Sequence, residues 1–315
     1  MSTHVEGDCS PPPPFRSYYN PPAMERFTTS RREFIVGTAT TLLASRSVHA
    51  QRGPVTAQEV ADRIRANVGV TWRAQTTDGF KAGDPSTTVT GIATTVMAST
   101  DVLRRAAAAG QNLIITQEPL FYSTNDDPGN RLKDPVYLAK KATIDEHHLV
   151  VWRFSEHWNA RQPNESAKAL AATLKWTSEV PDAPQTYRVQ DTTLSGLVAQ
   201  LRGRLPIRGG LRMVGPPGMR VRTVFLAPGT TSLAMAVTGL QHADVILAGE
   251  PREWEAVPYT LDTTSAGGGK GLIALGRMVS EGPGVQACAA WIRSLVPDVR
   301  VEAIPVTDPY WSINA

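Results

Sequence analysis

The chain has 315 residues, which is long enough for one large domain or for two lobes with a sizeable core. Its 32 basic and 29 acidic side chains are nearly balanced, which argues against nucleic acid or an anionic membrane as the main partner. The only cysteines are Cys9 and Cys288. If the first 50 residues are removed, the sequence excludes an intramolecular disulfide.

The first 50 residues predict a disordered leader and an export signal. Residues 1–23 are rich in proline and tyrosine and lack periodicity, as is typical of disordered segments. Arg31 and Arg32 then precede a short apolar stretch and the small-x-small pattern VHA at residues 48–50. The stretch is shorter than the about 20 residues that a membrane-spanning helix needs. We therefore expect a periplasmic or secreted protein that uses the twin-arginine export machinery and has no stable membrane insertion after cleavage.

Helix and strand patterns alternate along the remaining chain. In chain order they predict a helix after the capping residue Thr56, a strand at 90–98, a helix at 101–109, a strand at 112–116, a helix at 134–147, a strand at 149–154, a helix at 194–201, strands at 211–214 and 221–226, a helix at 231–240, strands at 243–248 and 271–275, a helix at 285–295 and a strand at 299–306. This alternation predicts an α/β fold of two lobes with mixed, largely parallel sheets flanked by helices. We expect one lobe at about 51–180 with 275–315, and the other at about 185–270.

Charged and polar side chains follow the predicted strands. They are Gln117 and Glu118, then Glu156 and His157, then Glu250, and finally Arg277 and Glu281. Ligands of α/β proteins bind beyond the carboxyl ends of the strands, where these side chains would meet. Such groups can bind a divalent metal or a phosphate, or carry acid–base chemistry.

Four segments resemble motifs of a known family in the correct order. They are DGFKAG at 78–83, LIITQEPLF at 113–121, ADVILAGE at 243–250 and GRMVSE at 276–281. The chain resembles the Nif-three-like, dinuclear-metal-centre family, also called GTP cyclohydrolase I type 2 homologues, over most of residues 55–310. The resemblance implies a two-lobed α/β fold, a ring-shaped homohexamer and a pair of divalent metal ions such as zinc, iron or manganese.

The residues at the family's metal-binding positions differ from its pattern. Gln117 and Glu118 stand where the family has two histidines, Ser155 and Asn159 where it has a histidine and an aspartate, and Arg277 and Glu281 where it has a histidine and a glutamate. Only Glu281 keeps its residue type. Arg277 is always charged and has no acceptor, so it cannot ligate a metal; it would pair with Glu118 or Glu281, replace a metal's charge, or bind an anion.

Three hypotheses therefore remain open for this chain. The first is a metal-dependent hydrolase that holds one or two ions through Gln117, Glu118, Glu156, His157 and Glu281, with Glu118 or Glu156 as the catalytic base. The second is a non-catalytic protein without metal that binds a small anionic ligand through Arg277. The third is a structural homologue that keeps only the fold and the oligomer.

Overall fold

A five-stranded mixed sheet forms the first half of the fold in the computed structural model, which describes residues 53–313. Its strands are β1 (Gly79–Ala82), β2 (Ile92–Thr95), β3 (Leu113–Thr116), β4 (Val150–Arg153) and β10 (Val301–Ala303). They lie in the order β1-β4-β3-β2-β10, and only β1 runs antiparallel to its neighbour. The carboxyl ends of β2, β3 and β4 therefore open onto the same edge.

Helices cover both faces of this sheet. They are α1 (Ala57–Asn67), α2 (Thr100–Ala108), α3 (Pro135–Glu146) and the short α4 (Glu156–Asn159). Their starts follow from side-chain caps: the Thr56 hydroxyl accepts from the Glu59 backbone amide, and the Asp134 carboxylate accepts from the first turn of α3. No helix within residues 53–313 is long and apolar enough to cross a membrane.

A second five-stranded mixed sheet forms the other half. Its strands are β5 (Thr186–Thr193), β6 (Arg212–Val214), β7 (Arg220–Thr231), β8 (Val245–Pro251) and β9 (Gly271–Ala274), in the order β5-β7-β8-β9-β6. The three central strands are parallel, and both edge strands are antiparallel to their neighbours. The helices around it are α5 (Glu165–Thr173), α6 (Leu194–Arg202), α7 (Leu233–His242) and α8 (Ala256–Ser265).

The long helix α9 (Arg277–Leu295) joins the two sheets. It begins directly after β9 of the second sheet, packs against strands of both sheets, and leads into β10 of the first. A Cβ at Gly284 would lie 2.6 Å from the Ser166 hydroxyl of α5, so only glycine permits this close helix crossing. The start of α9 is consequently fixed between the two halves of the fold.

Alternating side chains on the central strands build four hydrophobic clusters, one on each face of each sheet. In the first sheet, Leu113 and Ile115 face α1 and α9, whereas Ile114 faces α2 and α3. In the second sheet, Val245 and Leu247 face α5 and α6. Their neighbour Ile246 packs with α7 on the opposite face. Successive side chains of a strand point to opposite faces, so a sheet that helices cover on both faces buries all of them.

The predicted α/β fold with two mixed sheets flanked by helices is confirmed. Several elements differ from the prediction: β1, α5, β5 and α8 were not predicted, and α9 begins at Arg277 instead of residue 285. The run Gly282-Pro283-Gly284 suggested a break, but packing against both sheets holds α9 helical through it. The leader and the export signal with Arg31 and Arg32 lie outside the described residues.

Candidate functional site

A cleft of about 1000 Å³ lies between the carboxyl ends of the two sheets. The loops after β2, β3 and β4 form one wall, and β7 with the start of α9 forms the other. The pairing of β7 with β8 is interrupted between Ala227 and Thr230, which places Gly229 at the cleft. A Cβ at Gly229, whose φ is +74°, would approach Glu281 Oε1 to 2.7 Å, so glycine is required there.

Arg277 occupies the centre of a group of carboxylates in this cleft. Its Nη1 donates to Glu118 Oε2 at 2.6 Å, and its Nη2 donates to the Thr230 hydroxyl. Its Nε lies 3.1 Å from Glu250 Oε2 and 3.8 Å from Glu281 Oε2, as ion pairs without hydrogen-bond geometry. Since Glu118 belongs to the first half of the fold and Thr230 and Glu250 to the second, the guanidinium bridges the two sheets.

The Glu281 carboxyl is the most buried acid of this group, with 5% of its side chain exposed. Burial and the charges of Glu118 and Glu250 raise its pKa to about 8, although Arg277 acts in the opposite direction. Its Oε2 has no hydrogen-bond partner in the part of the chain that the structure describes. Burial acts to lower the pKa of Arg277, but the charges of Glu118, Glu281 and Glu250 outweigh it and raise that pKa above its usual value.

Glu156 lies in a different polar network. It accepts hydrogen bonds from the hydroxyls of Thr76 and Thr77 at 2.9 and 2.7 Å, and Arg73 Nη2 donates to it at 2.8 Å. Burial acts to raise the pKa of Glu156, but these hydrogen bonds and the charge of Arg73 lower it to about 2. A carboxylate with so low a pKa is a poor proton acceptor at neutral pH.

His157 is buried beside this network and uses both of its ring nitrogens. Its Nδ1 lies 2.7 Å from Asp78 Oδ2, and its Nε2 accepts from the Arg73 backbone amide at 3.0 Å. Trp72 stacks on the ring with 3.8 Å between the centroids. A histidine that uses both nitrogens in this way supports the fold and has none left for a metal.

Gln117, directly after β3, is not among the residues that line the cleft. Its side chain is buried, and its amide nitrogen and oxygen have no hydrogen-bond partner among the described residues. Its backbone oxygen accepts from Arg153 Nε at 3.3 Å. Of the five predicted metal ligands, the structure thus brings only Glu118 and Glu281 together in the cleft.

Lys140 and Arg153 also line the cleft, although the sequence did not predict them there. Lys140 Nζ donates to the Leu120 carbonyl at 2.6 Å, and burial lowers the pKa of Lys140 to about 8 against an opposing effect of Asp126. Arg153 Nη1 donates to the Thr124 carbonyl at 2.6 Å and lies 3.3 Å from Asp126 Oδ2. A lysine on the buried side of a predicted helix was the signal in the sequence.

The donor set does not fit the two-metal centre that the resemblance implies. Within residues 53–313, no three His, Cys, Asp or Glu side chains are grouped so that they could hold a metal ion. The carboxylates that do converge, Glu118, Glu250 and Glu281, converge on the guanidinium of Arg277. A cation at the same place would be repelled by that guanidinium.

Comparisons with known proteins agree with this fold. Residues 56–309 match the family model described as Duf34/NIF3 (NGG1p interacting factor 3). A Bacillus cereus protein related to NIF3 shares 13% identity with a TM-score of 0.67, covering 83% of this chain and 100% of that one. The hypothetical protein SA1388 of Staphylococcus aureus shares 18% identity with a TM-score of 0.65, covering 82% and 100%. TTHA1606 of Thermus thermophilus shares 18% identity with a TM-score of 0.60, covering 81% and 99%. No curated protein matches significantly.

Proposed function

Since the chain belongs to the Duf34/NIF3 family, we propose that it is a metal-independent member that binds a small anionic ligand in the cleft between its sheets. One observation carries the metal independence: the Arg277 guanidinium lies among Glu118, Glu250 and Glu281, at a position where the family resemblance implies a metal ligand. The guanidinium acts as a built-in cation that links the two sheets.

The charges of the cleft favour an anion on cations other than Arg277. Arg277 is already balanced by Glu118 and Glu250, so it has little charge to offer a ligand. Three further cations form a cationic wall of the cleft: Lys140 and Arg153 from the first half and Arg252 from the second. Arg153 and Arg252 each have one carboxylate partner, Asp126 and Glu255, whereas Arg277 has several. We therefore assign the anionic group of the ligand to this cationic wall, which changes the role expected for Arg277 from ligand binding to bridging.

Two helix starts add to the positive potential of the cleft. The cap residues Ser99 of α2 and Asn164 of α5 both line it. The amino-terminal end of a helix carries partial positive charge and favours oxyanions such as phosphate or carboxylate. Three cationic side chains and two helix starts at one cleft support a phosphate- or carboxylate-bearing ligand.

The acid–base groups of the cleft support binding over metal-assisted hydrolysis. Glu118, a predicted base, is held by Arg277 at 2.6 Å. Glu156, the other predicted base, lies outside the cleft, and hydrogen bonds lower its pKa to about 2 despite its burial. Neither carboxylate is arranged to accept a proton from a bound water.

Metal analysis of the purified protein tests the role of Arg277. After expression with ample zinc, iron and manganese, we expect the wild type to hold less than about 0.3 equivalents of metal, and Arg277→His to hold more because Glu118, Glu250 and Glu281 then gain a fourth ligand. Arg252→His, at another arginine of the cleft, is the matched control and should gain none. A stoichiometric metal in the wild type would overturn the proposal.

Calorimetric titration with inorganic phosphate, pyrophosphate and citrate tests anion binding. We expect binding to the wild type, and about tenfold weaker binding by Arg252→Gln, whose side chain is 47% exposed and can be replaced without disturbing the core. Arg212→Gln, an exposed arginine paired with Glu253 outside the cleft, should bind as the wild type does. Equal binding by both variants would locate the anion elsewhere.

A further inference from the structure

Helix α3 exposes apolar side chains to solvent and buries a lysine. Val136 and Leu138 are exposed, with 60% and 49% of their surface in solvent, whereas Lys140 is only 2% exposed. Burying an ammonium group is costly unless it is paired or has a function. Lys140 nevertheless lies in the wall of the cleft.

The Lys140 amine has few partners in this position. Its Nζ donates to the Leu120 carbonyl and lies 4.8 Å from the centroid of the Tyr122 ring. The carboxylate that acts on its charge, Asp126, is shared with two other cations: it lies 3.3 Å from Arg153 Nη1 and 3.5 Å from Lys81 Nζ. Within residues 53–313, Lys140 therefore has no carboxylate of its own.

Desolvation makes a lysine nucleophilic because it favours the neutral form of the amine. Burial lowers the pKa of Lys140 to about 8, with Asp126 acting in the opposite direction. At pH 7 about one amine in ten would then be neutral, compared with fewer than about one in a thousand for an ordinary lysine. Geometry and charge together distinguish this amine from its exposed neighbour Lys141.

We infer that Lys140 forms an imine with the carbonyl group of a ligand in the cleft, so that the ligand class is an aldehyde or ketone that also carries an anionic group. This inference rests on the proposed function because it takes the same cleft as the ligand site. The anionic group lies on the cationic wall with Arg252, and the carbonyl carbon reaches Lys140 Nζ.

The chemistry balances without an added oxidant or reductant. The lone pair of the neutral amine attacks the carbonyl carbon, an N–C bond forms, and one proton moves from nitrogen to the carbonyl oxygen. The C–O bond of this carbinolamine then breaks, and the hydroxyl leaves as water with the second proton of the nitrogen, which gives the neutral imine. When protonated, the imine keeps one N–H for the Leu120 carbonyl, and its positive charge lies near the Tyr122 ring.

Reductive trapping tests the inference on the folded chain. The probes are pyridoxal 5′-phosphate and glyoxylate, each reduced with borohydride and located by peptide mass spectrometry. We expect an adduct at Lys140 that forms at least about tenfold faster at pH 7 than at any other lysine, because its neutral fraction is larger. The rate of adduct formation should rise with pH, and this pH dependence should have its midpoint near pH 8.

Two variants provide the controls. Lys140→Met should lose the fast adduct, whereas Lys141→Met, at an adjacent lysine whose side chain is 51% exposed, should keep it. Circular dichroism and thermal unfolding show whether Lys140→Met is folded. Adducts distributed over the exposed lysines, with none at Lys140 in the folded wild type, would overturn the inference.

The two proposals fail separately. Phosphate binding without an adduct at Lys140 would contradict the proposed imine and leave the proposed anion binding supported. The opposite result is an adduct at Lys140 without measurable binding of phosphate, pyrophosphate or citrate. It would support the imine and contradict the proposed anion binding.

Discussion

Burial and two neighbouring carboxylates, acting against Arg277, determine the protonation of Glu281. The charge of Arg277 is shared by Glu118 at 2.6 Å and Glu250 at 3.1 Å, and the more distant Glu281 remains buried, with one oxygen that has no hydrogen-bond partner among the described residues. Burial and these neighbouring carboxylates keep the Glu281 pKa near 8, so at neutral pH this residue is a neutral acid. The guanidinium beside Glu281 is therefore not sufficient to keep this glutamate ionised.

We expect Glu281→Gln to change the pH dependence of stability. The folded pKa of Glu281 exceeds its unfolded value, so its contribution is present below about pH 4.5 and is lost as pH rises through about 8. Glutamine imitates the neutral acid and does not titrate. Urea unfolding should therefore find the variant near wild type at pH 5 and more stable by a few kcal/mol at pH 9.

The exposed Glu253, with 60% of its side chain in solvent, gives the control. Glu253→Gln should follow the wild type across the pH range, because exposed ion pairs contribute little. A Glu281→Gln variant whose difference from wild type stays constant between pH 5 and 9 would show that Glu281 is ionised in the fold.

Some of the individual residues in the cleft could be predicted from the sequence. Glu118, Arg277 and Glu281 could be predicted to meet because the family resemblance places all three positions in one site, although Glu118 follows a strand of the first sheet and the other two follow a strand of the second. Glu156 and His157 also follow a strand, but α4 turns them toward Arg73 instead of the cleft. The direction of one short helical turn is not encoded in hydrophobic periodicity.

Among the elements, α9 shows most clearly how tertiary packing overrides local propensity. The sequence Gly282-Pro283-Gly284 predicts a break, yet the helix runs from Arg277 to Leu295. Its amino-terminal part carries Glu281 to the cleft, and its later part carries Cys288 and Ile292 into the core of the first sheet. The position of Glu281 therefore depends on contacts far along the same helix.

Two glycines of α9 should respond in opposite ways to alanine. Gly284→Ala places a Cβ 2.6 Å from Ser166 Oγ and 3.0 Å from its Cα, so we expect a loss of about 1–3 kcal/mol. Gly282→Ala meets no atom within 4 Å and should gain up to about 1 kcal/mol from helix propensity. Chemical denaturation measures both. A stabilised Gly284→Ala would mean that α5 and α9 are farther apart than described.

For the whole molecule, the two-sheet fold was predictable because its central strands are buried on both faces. The central strands contain continuous apolar runs, which are typical of covered parallel strands: residues 113–115 in β3, 150–152 in β4, 224–227 in β7 and 245–248 in β8. The edge strands β1 and β5 were missed because their residues are only partly buried and carry no clear pattern. Homohexamer formation stays a prediction of the family resemblance.

The first 50 residues lead us to expect that the whole protein is exported. We propose that the chain reaches the periplasm or the medium through the twin-arginine route, on the basis of Arg31 and Arg32. Replacing both with lysine should keep the protein in the cytoplasm in a host with that route, as cell fractionation and immunoblotting would measure. Arg26→Lys, at an arginine outside the pair, is the matched control. Unchanged export of the double variant would contradict the proposal.

The late return of β10 to the first sheet has a consequence for synthesis on the ribosome. β10 pairs in parallel with β2, but the whole second sheet is translated between them. Until Val301–Ala303 emerges, the outer edge of β2 has unpaired backbone groups that another chain could use. The nascent first half is therefore the stage at which this edge is open to pairing with another chain.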